Sequence, residues 1–170
     1  MEAVNLNYEL EGPEYAPVLV LSSSIGSSLG MWDEQMDALR ERFRLLRYDH
    51  RGHGKSPVPS GPYSMEELGR DVFSLVDGLG IERFHFCGLS LGGMVGMWMA
   101  SEAPERVEKL VLCSTAAELG PPSMWDERIE AVREGGMEAL VDTVMERWFT
   151  ADADGEKVAR IRRIFLDTPP

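Results

Sequence analysis

Residues 84–103 read FHFCGLSLGGMVGMWMASEA. The first four, 84–87, are a short apolar run that is typical of a strand, and residues 91–103 have the length and composition of a helix. Between the two lies the pattern Gly-Leu-Ser-Leu-Gly of residues 88–92. Because glycines allow the backbone to bend sharply, a strand, this pattern and a helix in register predict a strained turn that exposes the hydroxyl of Ser90.

Ser90 is therefore a candidate nucleophile. The helix that begins at Leu91 directs its N-terminal amides toward the serine, and the Leu91 N–H group is then placed to bind a developing oxyanion. A second donor is expected from the Ser- and Gly-rich loop after an earlier strand, where the Ile25 N–H group is the candidate. Without catalysis, the same residues are a glycine-rich turn with a helix-capping serine and an ordinary flexible loop.

Strands and helices alternate in the first part of the chain. Apolar patterns predict strands at 4–10, 17–21, 45–48, 84–87 and 109–113, and helices at 31–43, 65–79 and 91–103. Ser64, with Glu67 three residues later, forms a capping box before the second helix, which is expected to stop at Gly80. The alternation predicts a parallel sheet with helices on both faces.

After Pro121 and Pro122 the pattern changes to three amphipathic helices without an intervening strand. These helices are predicted at residues 123–134, 137–149 and 154–166. A helical segment after the last strand is interpreted as a cap or lid. We therefore expect residues 1–117 to form the N-terminal part of a core and residues 118–170 to form a partial helical cap.

The composition excludes several kinds of partner. The chain has 170 residues, 44% of them hydrophobic, and a formal net charge of −12. No apolar run reaches the length of about 18 residues that a transmembrane helix needs, and the first residues lack the pattern of a signal peptide. The negative charge argues against nucleic acid or an anionic membrane as partner, and an anionic small molecule would need locally placed arginines.

The two cysteines, Cys87 and Cys113, each end an apolar run that predicts a buried strand. They are expected to be inert buried thiols of a cytosolic protein. No Cys-x-x-Cys pattern or histidine-rich cluster offers a metal site, so no metal is expected.

The serine motif is one of several sequence motifs along the chain. These motifs are Ser-Ser-Ile-Gly at 23–26, Met-Trp-Asp-Glu-Gln at 31–35, Tyr-Asp-His-Arg-Gly-His-Gly at 48–54, Cys-Gly-Leu-Ser-Leu-Gly-Gly-Met at 87–94, Ala-Pro-Glu-Arg-Val at 103–107 and Arg-Trp-Phe-Thr at 147–150. Together they resemble the 3-oxoadipate enol-lactonases of the α/β-hydrolase superfamily. The stretches at 87–94 and 147–150 are the most specific parts of this resemblance.

The resemblance implies an α/β-hydrolase fold, with a mostly parallel sheet, flanking helices and the start of a helical cap. It implies a cytoplasmic enzyme that opens an anionic enol-lactone to 3-oxoadipate, in the β-ketoadipate pathway of aromatic degradation, without a metal or cofactor. Carried over residue by residue, Ser90 is the nucleophile, and the Ile25 and Leu91 amides form the oxyanion hole. Arg147 and Trp148 are candidates for binding the substrate carboxylate, the alternatives being a surface arginine and a tryptophan of the cap core.

The histidines of the sequence are not expected to act as the catalytic base. In hydrolases with this serine motif the chain order is serine, then acid, then histidine. His50, His53 and His85 all precede the serine. The loop that contains the first two is expected to be a turn pinned by Asp49 and Arg51.

The family pattern continues beyond Pro170, so the catalytic acid, its histidine and the C-terminal core strands are expected to be missing. We interpret the sequence as a truncated chain that is inactive alone. Glu118 stands about where some α/β-hydrolases place the acid, but it would still lack a histidine, and the alternative is a solvated hinge residue.

Other functions stay open at this point. An esterase or a cofactor-free perhydrolase of the same fold would share Ser90 and the oxyanion hole. A haloalkane dehalogenase is disfavoured, because its nucleophile at this position would be an aspartate. A non-catalytic binding module that keeps the fold without a triad is the alternative from another class of protein.

Overall fold

The computed structural model describes residues 3–170. Its strands are β1 (Tyr8–Glu11), β2 (Val18–Ser22), β3 (Arg44–Tyr48), β4 (Phe84–Leu89) and β5 (Val107–Cys113). Its helices are α1 (Asp33–Leu39), α2 (Met65–Gly78), α3 (Leu91–Glu102), α4 (Pro122–Gly135), α5 (Glu138–Trp148) and α6 (Gly155–Leu166). A 3₁₀ turn, Leu29–Trp32, precedes α1.

The five strands form one sheet in the order β1-β3-β2-β4-β5. The last four strands of the chain are parallel, whereas β1 pairs with β3 in the antiparallel sense. This confirms the mostly parallel sheet that the alternating pattern predicts. The chain winds from β2 toward one edge and resumes at β4 toward the other, and ligands bind at such a switch point, beyond the carboxyl ends of the strands.

The sheet is covered on both faces at β2, which explains the continuous apolar run of that strand. Val20 packs into one cluster with residues of α2 and α3, such as Val72 and Val95. Its neighbours Leu19 and Leu21 face the other side, where they pack with Trp32 and Met36 from the 3₁₀ turn and α1. The side chains alternate between the two clusters because successive residues of a strand point to opposite faces.

Two predicted elements are shorter in the structure. The first strand begins at Tyr8 rather than at residue 4, because the backbone before it bonds elsewhere: the Val4 N–H group donates to Asp71 and the Asn7 N–H group to Ser56. The helix predicted at 31–43 ends at Leu39. The chain turns there and enters β3.

The run that ends at Cys113 is a strand, but the prediction that this strand is buried is wrong. β5 lies at the edge of the sheet and pairs, among the described strands, with β4 alone. Val111 and Leu112 are 52% and 44% exposed, and Cys87 and Cys113 are half-buried rather than buried. Burial and the neighbouring Cys113 still raise the pKa of the Cys87 thiol to about 12, so this cysteine stays protonated.

The three helices predicted after β5 are confirmed as α4, α5 and α6. The last two share an apolar cluster of their own, built on Val141, Met145 and Phe165. Asp154 caps α6, its carboxylate accepting hydrogen bonds from the Glu156 and Lys157 N–H groups. None of the helices found between residues 3 and 170 has the length and apolar character that crossing a membrane requires.

Candidate active site

Ser90 lies on the turn between β4 and α3, with φ of 53° and ψ of −113°. A residue other than glycine in such a conformation is strained by about 1–3 kcal/mol and persists only where its surroundings hold it. Two hydrogen bonds do so here. The Ser90 N–H group donates to the Cys113 carbonyl at 2.9 Å, and the Thr115 hydroxyl donates to the Ser90 carbonyl at 2.8 Å.

The glycines around Ser90 serve close packing. A Cβ atom at Gly88 would overlap the backbone of Gly92, and a Cβ atom at Gly92 would overlap the carbonyl group of Ser22. The Gly92 N–H group also donates to the Ser23 carbonyl at 3.1 Å. Neither glycine has a positive φ. The two glycines are therefore explained by close backbone approach, of β4 to the start of α3 at Gly88 and of β2 to α3 at Gly92, rather than by a left-handed backbone.

The two candidate oxyanion donors belong to segments that the structure brings together. Leu91 is the first residue of α3, and Ile25 lies on a turn directly after β2. The bond between Gly92 and Ser23 joins these two segments. Neither the Ile25 nor the Leu91 N–H group makes a hydrogen bond to any group of residues 3–170, so both amides are free to bind a ligand oxygen.

Asp49 and Arg51 pin the loop after β3. The Asp49 carboxylate accepts hydrogen bonds from the Leu29 N–H group at 2.7 Å and from the Lys55 N–H group at 2.9 Å. The Arg51 guanidinium forms a bidentate pair with the Asp71 carboxylate, at 2.6 and 2.7 Å, and both side chains are buried. These contacts agree with the turn expected from the sequence.

His50 and His53 contact the loop after β2. Nε2 of His50 lies 3.1 Å from the Ser23 carbonyl oxygen, and Nε2 of His53 accepts a hydrogen bond from the Gly26 N–H group at 3.0 Å. Burial lowers the pKa of His50 to about 3, and the neighbouring ring of His53 acts in the same direction. Burial also lowers the pKa of His53. Both rings are therefore neutral near pH 7.

The remaining titratable candidates form no hydrogen bond or ion pair with the loop after β2 among residues 3–170. His85 is a residue of β4, and its ring packs edge-on against Phe43 at a centroid distance of 5.7 Å. Glu118 is exposed on the segment between β5 and α4.

Arg147 and Trp148 are placed differently from each other. Arg147 is exposed on the last turn of α5 and forms no salt bridge with any residue from 3 to 170. Trp148 is 38% exposed, and its ring meets Phe165 edge-on at 6.0 Å. Phe165 in turn lies against Gly26. The structure thus connects Trp148 to the loop after β2 through Phe165 and leaves Arg147 in solvent.

Sequence reasoning missed how α6 docks on the core. Arg160 donates to the Asp33 carboxylate at 2.7 Å and to the Gly30 carbonyl at 2.9 Å. Lys157 pairs with Glu34 at 2.7 Å. The signal in the sequence is a basic stripe on an amphipathic helix, which can be recognised as a docking face only when the acidic start of α1 is known to lie opposite.

Comparison with known proteins identifies chains of similar sequence. A family model described as alpha/beta hydrolase fold matches residues 17–141. The 3-oxoadipate enol-lactonase 2 of Acinetobacter baylyi is 41% identical over 147 residues, which are 86% of this chain and 55% of that protein. The putative carbamate hydrolase RutD of Agrobacterium fabrum is 35% identical over 144 residues, which are 80% of this chain and 54% of that protein.

Among solved structures, the enol-lactonase from Burkholderia xenovorans LB400 is 46% identical to this chain, with a TM-score of 0.93. The similarity covers 99% of this chain and 68% of that one. The expected α/β-hydrolase fold is thereby confirmed. The chain spans about half the length of the curated relatives it matches.

Proposed function

This chain belongs to the alpha/beta hydrolase family, and from that membership we propose that it supplies the nucleophile and the oxyanion-binding groups of a serine hydrolase. The observation that supports this most directly is the strained backbone of Ser90 at the switch point of the sheet. The amides of the adjacent Leu91 and of Ile25, in the loop that Gly92 contacts, have no hydrogen-bond partner among residues 3–170. A turn that only joined a strand to a helix would need neither the strain nor two free donors.

The reaction is acyl transfer. The Ser90 hydroxyl oxygen attacks the substrate carbonyl, its proton passes to a general base, and the Ile25 and Leu91 N–H groups bind the oxyanion of the tetrahedral intermediate. Collapse of the intermediate breaks the bond between the carbonyl carbon and the leaving oxygen, which takes up a proton. Water then hydrolyses the ester on Ser90 and regenerates the serine hydroxyl.

We place the general base and its acidic partner in the part of the relatives' length that this chain does not cover. Two of the three histidines in this sequence already bind the loop after β2. In this fold the base is a histidine that follows the serine along the chain.

We further propose an enol-lactone of 3-oxoadipate as substrate, because the relatives named for that activity include a chain 41% identical and a structure 46% identical. Residues 1–117 would form part of the core and residues 118–170 part of a cap, supported by the separate apolar cluster of α5 and α6. Arg147 is exposed and unpaired among residues 3–170, so it is available to bind the substrate carboxylate, with Trp148 beside it.

Hydrolysis of a carbamate is a second candidate, supported by the relative of that name at 35% identity. The same nucleophile would attack the carbamate carbonyl, and the same N–H groups would bind its oxyanion. The two candidates differ in the leaving group, which is an enolate in one case and a nitrogen or oxygen of the carbamate in the other.

The test compares hydrolysis of 3-oxoadipate enol-lactone, an aryl acetate and a carbamate by the whole protein that includes this chain. Ser90→Ala should lower kcat by at least about 10⁴-fold on any true substrate. Ser74→Ala, at an exposed serine of α2, is the matched control and should leave kcat unchanged. Hydrolysis that survives Ser90→Ala would refute the serine mechanism, and the preferred substrate decides between lactone and carbamate.

A further inference from the structure

Two histidine rings hold the loop after β2, one on each side of Ile25. Nε2 of His50 lies 3.1 Å from the carbonyl oxygen of Ser23, two residues before Ile25. Nε2 of His53 accepts a hydrogen bond from the N–H group of Gly26, directly after Ile25, at 3.0 Å. The candidate oxyanion donor therefore lies between two fixed points.

The contacts of His53 specify a single form of its ring. Nδ1 lies 3.1 Å from the carbonyl oxygen of Arg51, which can only accept, so Nδ1 carries the proton. The Gly26 N–H group can only donate, so Nε2 carries none. Gly52 and Gly54, which flank the histidine, have φ of 74° and 51°. This left-handed backbone, which glycine adopts without strain, sets the direction of the ring.

The bond from Gly26 to His53 fixes the orientation of a peptide group. The Gly26 N–H group belongs to the peptide that joins Ile25 to Gly26, and Gly26 itself has φ of 70°, in the left-handed region that glycine adopts without strain. A rotation of this peptide would change ψ of Ile25. The Ile25 N–H group belongs to the preceding peptide, which joins Ser24 to Ile25. The His53 contact anchors the chain directly after Ile25 and so limits how far this preceding peptide can move.

The chain on the other side of Ile25 is restrained as well. The Ser23 carbonyl accepts from the Gly92 N–H group of α3 at 3.1 Å, in addition to its contact with His50. The Ser27 hydroxyl donates to the Ser24 carbonyl at 2.7 Å and closes the turn. His53 is the one side chain among residues 3–170 that accepts a hydrogen bond from the Ile25–Gly26 peptide.

We propose that His53 is a positioning residue of the oxyanion hole: by accepting the Gly26 N–H bond it anchors the chain directly after Ile25 and so keeps the Ile25 N–H group directed toward Ser90. The inference rests on the proposed serine hydrolase function. His53 transfers no proton in the reaction. Because the Ile25 amide binds an oxygen that is charged only in the transition state, loss of the contact lowers kcat and leaves KM nearly unchanged.

The experiment uses three variants of the whole protein. In His53→Gln the side-chain carbonyl reaches about the position of Nε2 and can accept from Gly26. His53→Leu fills similar volume without an acceptor, and in His53→Asn the shorter amide stops near the position of Nδ1. We expect the Leu and Asn variants to lose about 10- to 100-fold in kcat, with KM changed less than about threefold, and the Gln variant to recover most of the loss.

His85→Leu is the matched control, because this histidine lies in β4 and packs on Phe43 away from the loop. It is expected to keep kcat. A second readout is the affinity for an aryl trifluoromethyl ketone, which forms an oxyanion when it adds to Ser90. This affinity should fall in parallel with kcat in the Leu and Asn variants, while the affinity for the product 3-oxoadipate stays unchanged.

The outcomes separate the inference from the function on which it rests. Absence of any hydrolysis that depends on Ser90 in the unsubstituted protein overturns both. Hydrolysis that depends on Ser90 and survives His53→Leu and His53→Asn overturns the role of His53 alone. Equal losses of ketone and product affinity also overturn it, because they indicate general damage to the site rather than a displaced amide.

Discussion

Phe165 of α6 packs directly against Gly26, so that a Cβ atom at Gly26 would lie 2.6 Å from Cε2 of the ring. Gly26 follows the candidate oxyanion donor Ile25, and Phe165 is 4% exposed. The loop after β2 and the helices after β5 are therefore packed together at this point. A change in the shape of either is transmitted to the other, because closely packed groups cannot absorb added volume.

Gly26→Ala is expected to destabilise the chain more than a substitution that strains the backbone alone. Alanine at φ of 70° costs about 1–2 kcal/mol. The added methyl group would also press on Phe165, and this overpacking costs about 1–3 kcal/mol more. The midpoint of urea denaturation should fall accordingly.

Gly80→Ala is the matched control for this effect. Gly80 has φ of 68°, and a Cβ atom there would meet nothing within 4 Å. Its alanine variant should show the backbone cost only. Combining Gly26→Ala with Phe165→Leu, which shortens the opposing side chain, should recover part of the loss. Equal destabilisation by the two alanines would contradict direct packing of Phe165 on Gly26.

Arg51→Met tests the buried ion pair behind the loop after β3. Asp71 is 1% exposed and forms a bidentate pair with Arg51. Removing the arginine leaves a buried carboxylate without its partner, which costs about 3–5 kcal/mol. Arg70→Met removes an exposed partner of Glu66 on the same helix and should cost at most about 0.5 kcal/mol. Chemical denaturation of both variants measures the difference.

The free energy of unfolding should decrease as the pH falls from 7 to 5. The pKa of His50 is lowered to about 3 in the folded chain by burial, from an ordinary value of about 6.5. In this range the unfolded chain binds a proton on His50 and the folded chain does not. The slope for this residue approaches about 1.4 kcal/mol per pH unit below pH 6.5, and His53 acts in the same direction.

Urea denaturation at several pH values between 7 and 5 measures this slope, and His50→Gln provides the control. The variant should be less stable at pH 7, since the glutamine packs less well, but its stability should depend less on pH. An unchanged slope in His50→Gln would show that the buried imidazole is not the group that takes up the proton.

The sheet and the serine turn could be predicted because local patterns determine them. The capping box of Ser64 and Glu67 is present as predicted, since it depends only on residues three apart. The alternation of strands and helices fixes a parallel sheet through the short connections between them. The exposure of Val111 could not be read from its own stretch, because the burial of a strand depends on what lies beside it.

The restraint of Ile25 by His53 was beyond prediction for the same reason. The two residues are 28 positions apart, and nothing in a Gly-His-Gly sequence indicates which backbone amide the ring will meet. The contact of Phe165 with Gly26 joins segments still farther apart. Tertiary packing of this kind leaves no periodic signal in either segment.

The isolated 170-residue chain is expected to hydrolyse the enol-lactone little or not at all. Ser90 has no assigned base, since His50 and His53 bind the loop after β2 and His85 packs on Phe43. An oxyanion hole alone gives residual catalysis of about 10³-fold over water. Efficient turnover by the purified chain, abolished by Ser90→Ala, would show that the acid and base are present within these residues.

The edge strand β5 is expected to make the isolated chain self-associate. Its outer edge pairs with no strand among residues 3–170, and Val111 and Leu112, on opposite faces, are 52% and 44% exposed. Unpaired backbone groups beside apolar side chains favour pairing with another chain. Each Å² of apolar area that stays in water loses about 25 cal/mol of hydrophobic stabilisation. This loss is large compared with the net stability of a domain, which is only about 5–15 kcal/mol.

Light scattering and thermal denaturation of the 170-residue chain check this expectation. Val111→Lys places a charge on the edge strand and should reduce association, because pairing with another chain would remove that charge from water. Val58→Lys changes a valine that is 59% exposed on a loop and should leave association unchanged. A monomeric chain with a sharp, reversible thermal transition would contradict the expectation, since it would mean that β5 is stable as an open edge.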